Sequence, residues 1–199
     1  ASASGGPPDL RRAARALSFS HAHEVAHAHL YRVAFDDGIV TEIAPTEHAA
    51  MFRFTFKHDR SQLIFDNRNG HGGIVLDPSS RSFSGWSDVK SRLSAGAGRL
   101  FFYGVVDRAV TQSGRLHGAG RDQVAAWFGF DTSKDKVVNL RIATSLISLA
   151  QARHNLALEI APDESFDEVR ERAQRAWDKQ LGIVSVRGAS RDELTTLYS

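Results

Sequence analysis

From residue 31 onward, apolar and polar positions alternate with a period of two, interrupted every few residues by Gly, Asp, Asn or Pro. Tyr31, Val33 and Phe35 alternate with Arg32 and Ala34. Asp36-Asp37-Gly38 then turns the chain and Ile39, Thr41 and Ile43 bring it back, which predicts a β-hairpin. Phe52, Phe54 and Phe56 predict a strand with Arg53 and Thr55 outward, and Leu63 to Phe65 predict another. The glycine-rich stretch 67–73 resembles a phosphate cradle only in composition. It is followed by the apolar run Ile74 to Leu76 and by Asp77-Pro78 rather than by a helix, so it reads as a hairpin loop. Ser84 to Trp86, Leu100 to Val106 and Val124 to Phe130 read as strands with Trp127 in the core, and 112–120 reads as a loop. The alternation is longest just before it stops: Val138, Leu140, Ile142 and Leu146 predict one face of a strand, and Asn139, Arg141 and Ser145 the other.

The period then changes to helical. Ser148 with Gln151, and Ser165 with Glu168, have capping-box spacing, in which a Ser oxygen accepts a free backbone N–H and the later side chain reaches back. Leu149, Ala152, Leu156 and Ile160 predict a helix that Pro162 ends; Phe166, Val169, Ala173, Trp177 and Leu181 predict an apolar stripe on a second helix stopped by Gly182. Glu168–Arg172 and Glu171–Arg175 are i,i+4 pairs on its wet side. Ile183 to Val186 read as one more strand, and Ser190 with Glu193 as a third capping box. The helix that box opens has barely one turn before Ser199, too short to be stable alone, which predicts that the chain is a piece of a longer polypeptide. Eight to ten short strands followed by helices predict a mainly β protein: a β-sandwich over residues 1–147, a two-helix linker over 148–182, and a strand and helix start over 183–199.

Composition narrows the function classes. A hydrophobic content of 42% and a charged content of 24% are those of a globular chain. The net charge of +2 comes from interspersed bases and acids, not from the concentrated stripe that phosphate backbones require, so nucleic acid is not an expected partner. No apolar run approaches the roughly 18 residues of a membrane span. With no cysteine there is no disulfide and no thiolate metal site.

Candidate chemistry is sparse. In Ser18 to His29, His21 and His23 share a strand face, as do His27 and His29, and such pairs are one way to hold zinc. Without a spaced carboxylate partner they read as exposed or hydrogen-bonded imidazoles near a domain edge. Asp36 and Asp37 sit in a tight turn and read as solvated turn residues, since acid–base work needs a carboxyl that is buried or close to a like charge. Trp86 is the candidate for stacking on a sugar ring.

The stretches SHxxExA at Ser20 to Ala26, YRVxFDDGIVTEIAPTEHAAMFRFTF at Tyr31 to Phe56 and RIATSLISLAQARHNLALEI at Arg141 to Ile160 resemble glycoside hydrolase family 92, the calcium-dependent exo-acting α-mannosidases. FDEVRERAQRAWDKQLG at Phe166 to Gly182 and TTLYS at Thr195 to Ser199 extend the resemblance over nearly the whole chain. It implies an N-terminal β-sandwich and helical linker, followed in the family by an (α/α)6 barrel. It also implies a bacterial secreted or cell-envelope enzyme that removes terminal α-linked mannose, foremost α-1,2-linked, from glycans by calcium-assisted inversion. In the family the catalytic acid, the base and the calcium ligands sit on the barrel, so no catalytic or metal residue is assigned here, substrate-binding residues stay unknown, and this chain alone is expected to be inactive. Its partners would be a mannose-containing glycan and its own catalytic domain. His27-Ala28-His29-Leu30 departs from the Pro-Gly-Tyr turn of many members, and a branch cleaving mannosyl phosphodiesters is also compatible. The alternative is a non-catalytic carbohydrate-binding sandwich in which Trp86 or the histidine cluster meets ligand.

Overall fold

The computed structural model describes residues 6–67, 71–88, 98–118 and 124–198. Eleven strands and three α-helices follow in order: β1 (Phe19–His27), β2 (Leu30–Phe35), β3 (Val40–Pro45), β4 (Ala49–Thr55), β5 (Arg60–Asp66), β6 (Gly72–Asp77), β7 (Ser82–Asp88), β8 (Arg99–Val106), β9 (Gln112–Arg115), β10 (Ala125–Asp131), β11 (Val137–Ser145), α1 (Leu149–Glu159), α2 (Phe166–Leu181) and α3 (Arg191–Tyr198). One sheet of eight strands runs β1-β2-β3-β4-β11-β8-β7-β6, and a second of three runs β5-β10-β9. Every pairing is antiparallel.

The two sheets face each other across a core of Ile39, Phe56, Leu63, Phe83, Val106, Phe128, Phe130, Val138 and Leu140. The Phe side chains interlock there, Phe65 and Phe83 stacking at 3.8 Å between centroids and Phe128 meeting both edge-on. The other face of the large sheet carries a second core, in which Ala44, Met51 and Ala143 meet Leu156 of α1, Ile160 just past its end, and Phe166 and Val169 of α2. The layers are therefore small sheet, large sheet, helices. Trp127 is buried on the far face of the small sheet, beside Leu116 and Ala125 and under Leu10.

This layering corrects several expectations. The face of β4 and β11 that bears Arg53, Asn139 and Arg141 is covered by the helices instead of facing water. Leu146 lies past the end of β11 and is 70% exposed. The 67–73 stretch is not a hairpin loop, since β5 and β6 belong to different sheets and it passes between them; positions 68–70 lie outside the described residues. Residues 112–115 form β9 instead of a loop, because the register of β10 gives them a ladder partner. Ile183 to Val186 are turn and irregular, not a strand: among the described residues no strand pairs with them, and Ile183 and Val184 are exposed. The Asp36-Asp37-Gly38 hairpin forms as expected. Gly38 adopts φ 90°, a left-handed conformation favouring glycine, and Asp37 Oδ1 accepts from Ile39 N at 3.0 Å.

The caps split. Ser165 and Glu168 make the reciprocal box, as do Ser190 and Glu193. Ser148 Oγ accepts from Gln151 N at 3.0 Å, but the Gln151 side chain donates to Asn155 Oδ1 at 2.7 Å instead of reaching back, because buried Asn155 needs that bond. With Glu168 held by Ser165, Arg172 turns to Glu164 and to Glu159 O, so the expected Glu168–Arg172 pair is absent, while Glu171–Arg175 is present at 3.9 Å. Gly182 ends α2 in a right-handed conformation with φ −69°, not as a left-handed cap. Replacing Ser165 by Ala is expected to cost about 1 kcal/mol, read as a lower urea midpoint at unchanged slope.

Candidate functional site

The face where α1 and α2 cross the large sheet holds the densest set of polar contacts in the described residues. Arg53 on β4 donates through Nε to Glu42 Oε2 at 2.6 Å and through Nη1 to Asp167 Oδ2 at 2.9 Å, and its guanidinium lies 4.3 Å from the centroid of Phe166. The bonds that Arg53 donates to Glu42 hold its pKa above the ordinary value despite burial. One strand residue thus fixes the N-terminus of α2, where Asp167 also suits the helix dipole.

At the end of α1, Glu159 receives Thr46 Oγ1 at 2.5 Å, His48 N at 2.9 Å, Ala49 N at 3.1 Å and His48 Nδ1 at 2.8 Å. Burial pushes this carboxyl up, but the bonds from Thr46 and His48 outweigh it and leave the pKa lowered. The contact pins the β3–β4 turn to α1. An acid in a last helical turn opposes the helix dipole. Its presence there was the signal, overlooked in the sequence, that it has a tertiary partner.

Beside these contacts lies a cavity of about 550 Å³, lined by Met51, Arg53, Arg81, Asn139, Arg141 and the 162–167 connection between α1 and α2 among others. Arg141 Nη1 donates to Ile160 O at 3.1 Å. Burial lowers the Arg141 pKa from its ordinary value. Asp107 accepts from Asn139 N at 2.9 Å and from Asn139 Nδ2 at 2.7 Å. Neither Arg141 nor Asp107 stood out in the sequence, since a single charged residue at a strand position reads as a solvated face.

The residues that did stand out are scattered. His21 and His23 lie on β1 at the sheet edge, where the pairing with β2 slips between Phe19 and Glu24. His21 Nδ1 lies 2.6 Å from Glu24 Oε2, and Tyr31 Oη donates to Glu24 Oε1 at 2.5 Å. The Tyr31 bond first, then His21, holds the Glu24 pKa down. His27 and His29 stack with each other at 5.4 Å. Among the described residues no three His, Asp or Glu side chains gather as a metal site. Asp36 and Asp37 occupy the β2–β3 turn, where Asp37 Oδ1 accepts from Ile39 N. Trp86 on β7 carries the Arg99 guanidinium 3.5 Å from its ring centroid, so one ring face is already taken and a sugar there would have to displace a cation–π contact. Arg153 lies over Tyr103 at 4.9 Å, and His154 is exposed on α1.

Two family descriptions match the chain: the glycosyl hydrolase family 92 N-terminal domain over residues 3–145, and the glycosyl hydrolase family 92 catalytic domain over residues 151–199. Among solved structures, the family GH92 inverting mannosidase BT2199 from Bacteroides thetaiotaomicron VPI-5482 superposes with a TM-score of 0.88 at 25% identity, over 98% of this chain and 28% of that one. The gh92 family glycosyl hydrolase ccman5 has a TM-score of 0.73 at 20% identity, over 87% of this chain and 26% of that one. The family GH92 alpha-mannosidase BT3965 from Bacteroides thetaiotaomicron has a TM-score of 0.71 at 19% identity, over 87% and 26%. At those two identities the likeness is one of fold. The chain therefore spans little more than a quarter of the length of these structures, 28% of the first. No curated protein matches it.

Proposed function

Because the chain belongs to glycosyl hydrolase family 92, we propose that it is the sandwich-and-helix part of an enzyme that removes terminal α-linked mannose, foremost α-1,2-linked, from glycans with inversion and calcium assistance. The observation that carries this reading is the superposition over 98% of the chain on an inverting mannosidase, at 25% identity. In this reading residues 1–147 form the sandwich domain, 148–182 the linker and 183–199 the start of the catalytic domain, in a secreted or cell-envelope protein.

What this chain does in such an enzyme is mechanical. Inversion needs two carboxyl groups roughly 6.5–9.5 Å apart with a water between them, one as acid and one as base. The carboxylates of the sheet–helix face already accept from protein donors: Glu42 from Arg53, Glu159 from Thr46 and His48, and Glu164 from Arg172. They are spent on the scaffold: Glu42 ties β3 to β4, Glu159 ties α1 to the β3–β4 turn, and Glu164 ties the α1–α2 connection to α2. Among the described residues no three His, Asp or Glu side chains gather to hold calcium either. α2 leaves the sheet with Trp177 and Leu181 exposed, and beyond it Ile183, Val184 and Val186 are exposed as well. An apolar ridge of this kind suits docking against the remainder of the catalytic domain.

The test is mannose release from α-1,2-mannobiose, followed by proton NMR of the new anomeric centre. The whole protein is expected to release β-mannose first and to lose activity in EDTA, and the 199-residue chain alone to release none. Release of α-mannose first, or release by the isolated chain, would overturn the reading.

A further inference from the structure

The cavity between the large sheet and the α1–α2 connection holds two arginines that the architecture leaves largely unspent. Arg53 is committed to Glu42 and Asp167. Arg141 gives a single bond, from Nη1 to Ile160 O, and forms no ion pair among the described residues. Arg81, on the β6–β7 turn, gives one bond from Nη1 to Asp107 O at 2.9 Å. Its backbone is held in the left-handed region at φ 56°, with Arg81 N donating to Pro78 O and Val106 N donating to Arg81 O. Both side chains line the same space of about 550 Å³, so most of each guanidinium's N–H donors remain for something else.

The acids that line the cavity accept from protein donors, with one exception, although Asp107 still attracts Arg141 across the space. Asp107 accepts from the Asn139 backbone and side chain, Glu164 pairs with Arg172, and Asp167 pairs with Arg53 and Arg170. Asp163 attracts Arg141 but makes no ion pair with it. Burial is the largest influence on Arg141 and works against its charged form; Tyr103 and Asp107 favour that form, and the like charge of Arg81 opposes it. A guanidinium that is half-buried, repelled by a second one and facing open space gains from an anion, because the attraction grows as the local dielectric falls.

We propose that this cavity binds a small oxyanion, the phosphate or sulfate group of a free ion or of a larger ligand, held between Arg141 and Arg81. Planar guanidinium groups suit such a group because two N–H donors meet two oxygens side by side. Met51, Val105 and Phe166 supply the apolar wall that a ligand carrying the anion would lie against. Asp163 is the internal competitor for the same guanidinium. The site is independent of catalysis, so it stands or falls apart from the mannosidase reading.

Titration of the 199-residue chain with inorganic phosphate at low ionic strength, followed by the arginine Nε–Hε signals in NMR, tests it. Two such signals should move together with a Kd of about 1 mM or below, Arg141→Gln should weaken binding by roughly tenfold, and Asp163→Asn should tighten it severalfold by removing the competitor. Arg81→Gln, an exposed change that leaves the fold intact, should also weaken binding, so the test does not depend on how well the Arg141 variant folds. A parallel titration with a hexose phosphate identifies the source: tighter binding than inorganic phosphate points to a larger ligand, equal binding to the free ion. No saturable shift of the Arg81 and Arg141 signals, or unchanged affinity in both arginine variants, would overturn the proposal.

Discussion

Replacing Phe128 by Ala is expected to destabilise the sandwich by roughly 3–5 kcal/mol and to lower its melting temperature by roughly 6–20 °C, at 2–4 °C per kcal/mol for a chain of this size. The side chain is fully buried on β10 and meets Phe65 of its own sheet and Phe83 of the facing one. Removing it takes away apolar burial and the edge-on contact between sheets, and leaves a void that neighbours held in two ladders cannot close. Thermal melts by near-ultraviolet circular dichroism read the effect directly. A loss below about 1 kcal/mol would mean that the sheets do not meet through this ring.

The same core explains why so much of the fold could be read along the chain. Period-two runs such as Tyr31 to Phe35 and Phe52 to Phe56 became β2 and β4 because each has one face turned to the other sheet. The Asp-Gly turn between β2 and β3 carries its own geometry, and so do the reciprocal caps at Ser165 and Ser190. These are local rules, decided by neighbours within four residues.

Where a tertiary partner decided, the sequence was silent or misleading. β9 has little apolar pattern, with Gln112, Ser113 and Gly114, and is a strand only because β10 pairs with it. Arg53 and Arg141 sit at positions that alternation assigns to water, and α1 and α2, which follow later in the chain, turn that face into an interior. Ile183 to Val186 has strand composition but no ladder to join, so composition alone set the wrong expectation. The candidate site follows the same logic. Its residues are single charges on separate elements, Glu42, Arg81, Arg141 and Glu159, brought together by topology. The histidines, dense in sequence, lie along an exposed edge strand instead.

Glu159 shows how such a residue reports on the sheet–helix contact. Glu159→Ala is expected to cost about 2 kcal/mol, less than the sum of its charged hydrogen bonds because His48 is largely exposed and screened. It removes in one step the acceptor shared by Thr46, His48 and Ala49, so the loss should appear as protease sensitivity of the β3–β4 turn as well as in the melt. The pH dependence has a definite sign. The folded carboxyl is held below its ordinary value, so its contribution is fully present above the unfolded pKa of about 4.3 and is lost as pH falls through the lower folded value. The stability gap between the native chain and Glu159→Gln should therefore be level from pH 7 to about pH 5 and close below about pH 4.3. A gap that instead widened on acidification would mean that the carboxyl is protonated more readily folded than unfolded, and that Glu159 is not the clamp between α1 and the β3–β4 turn.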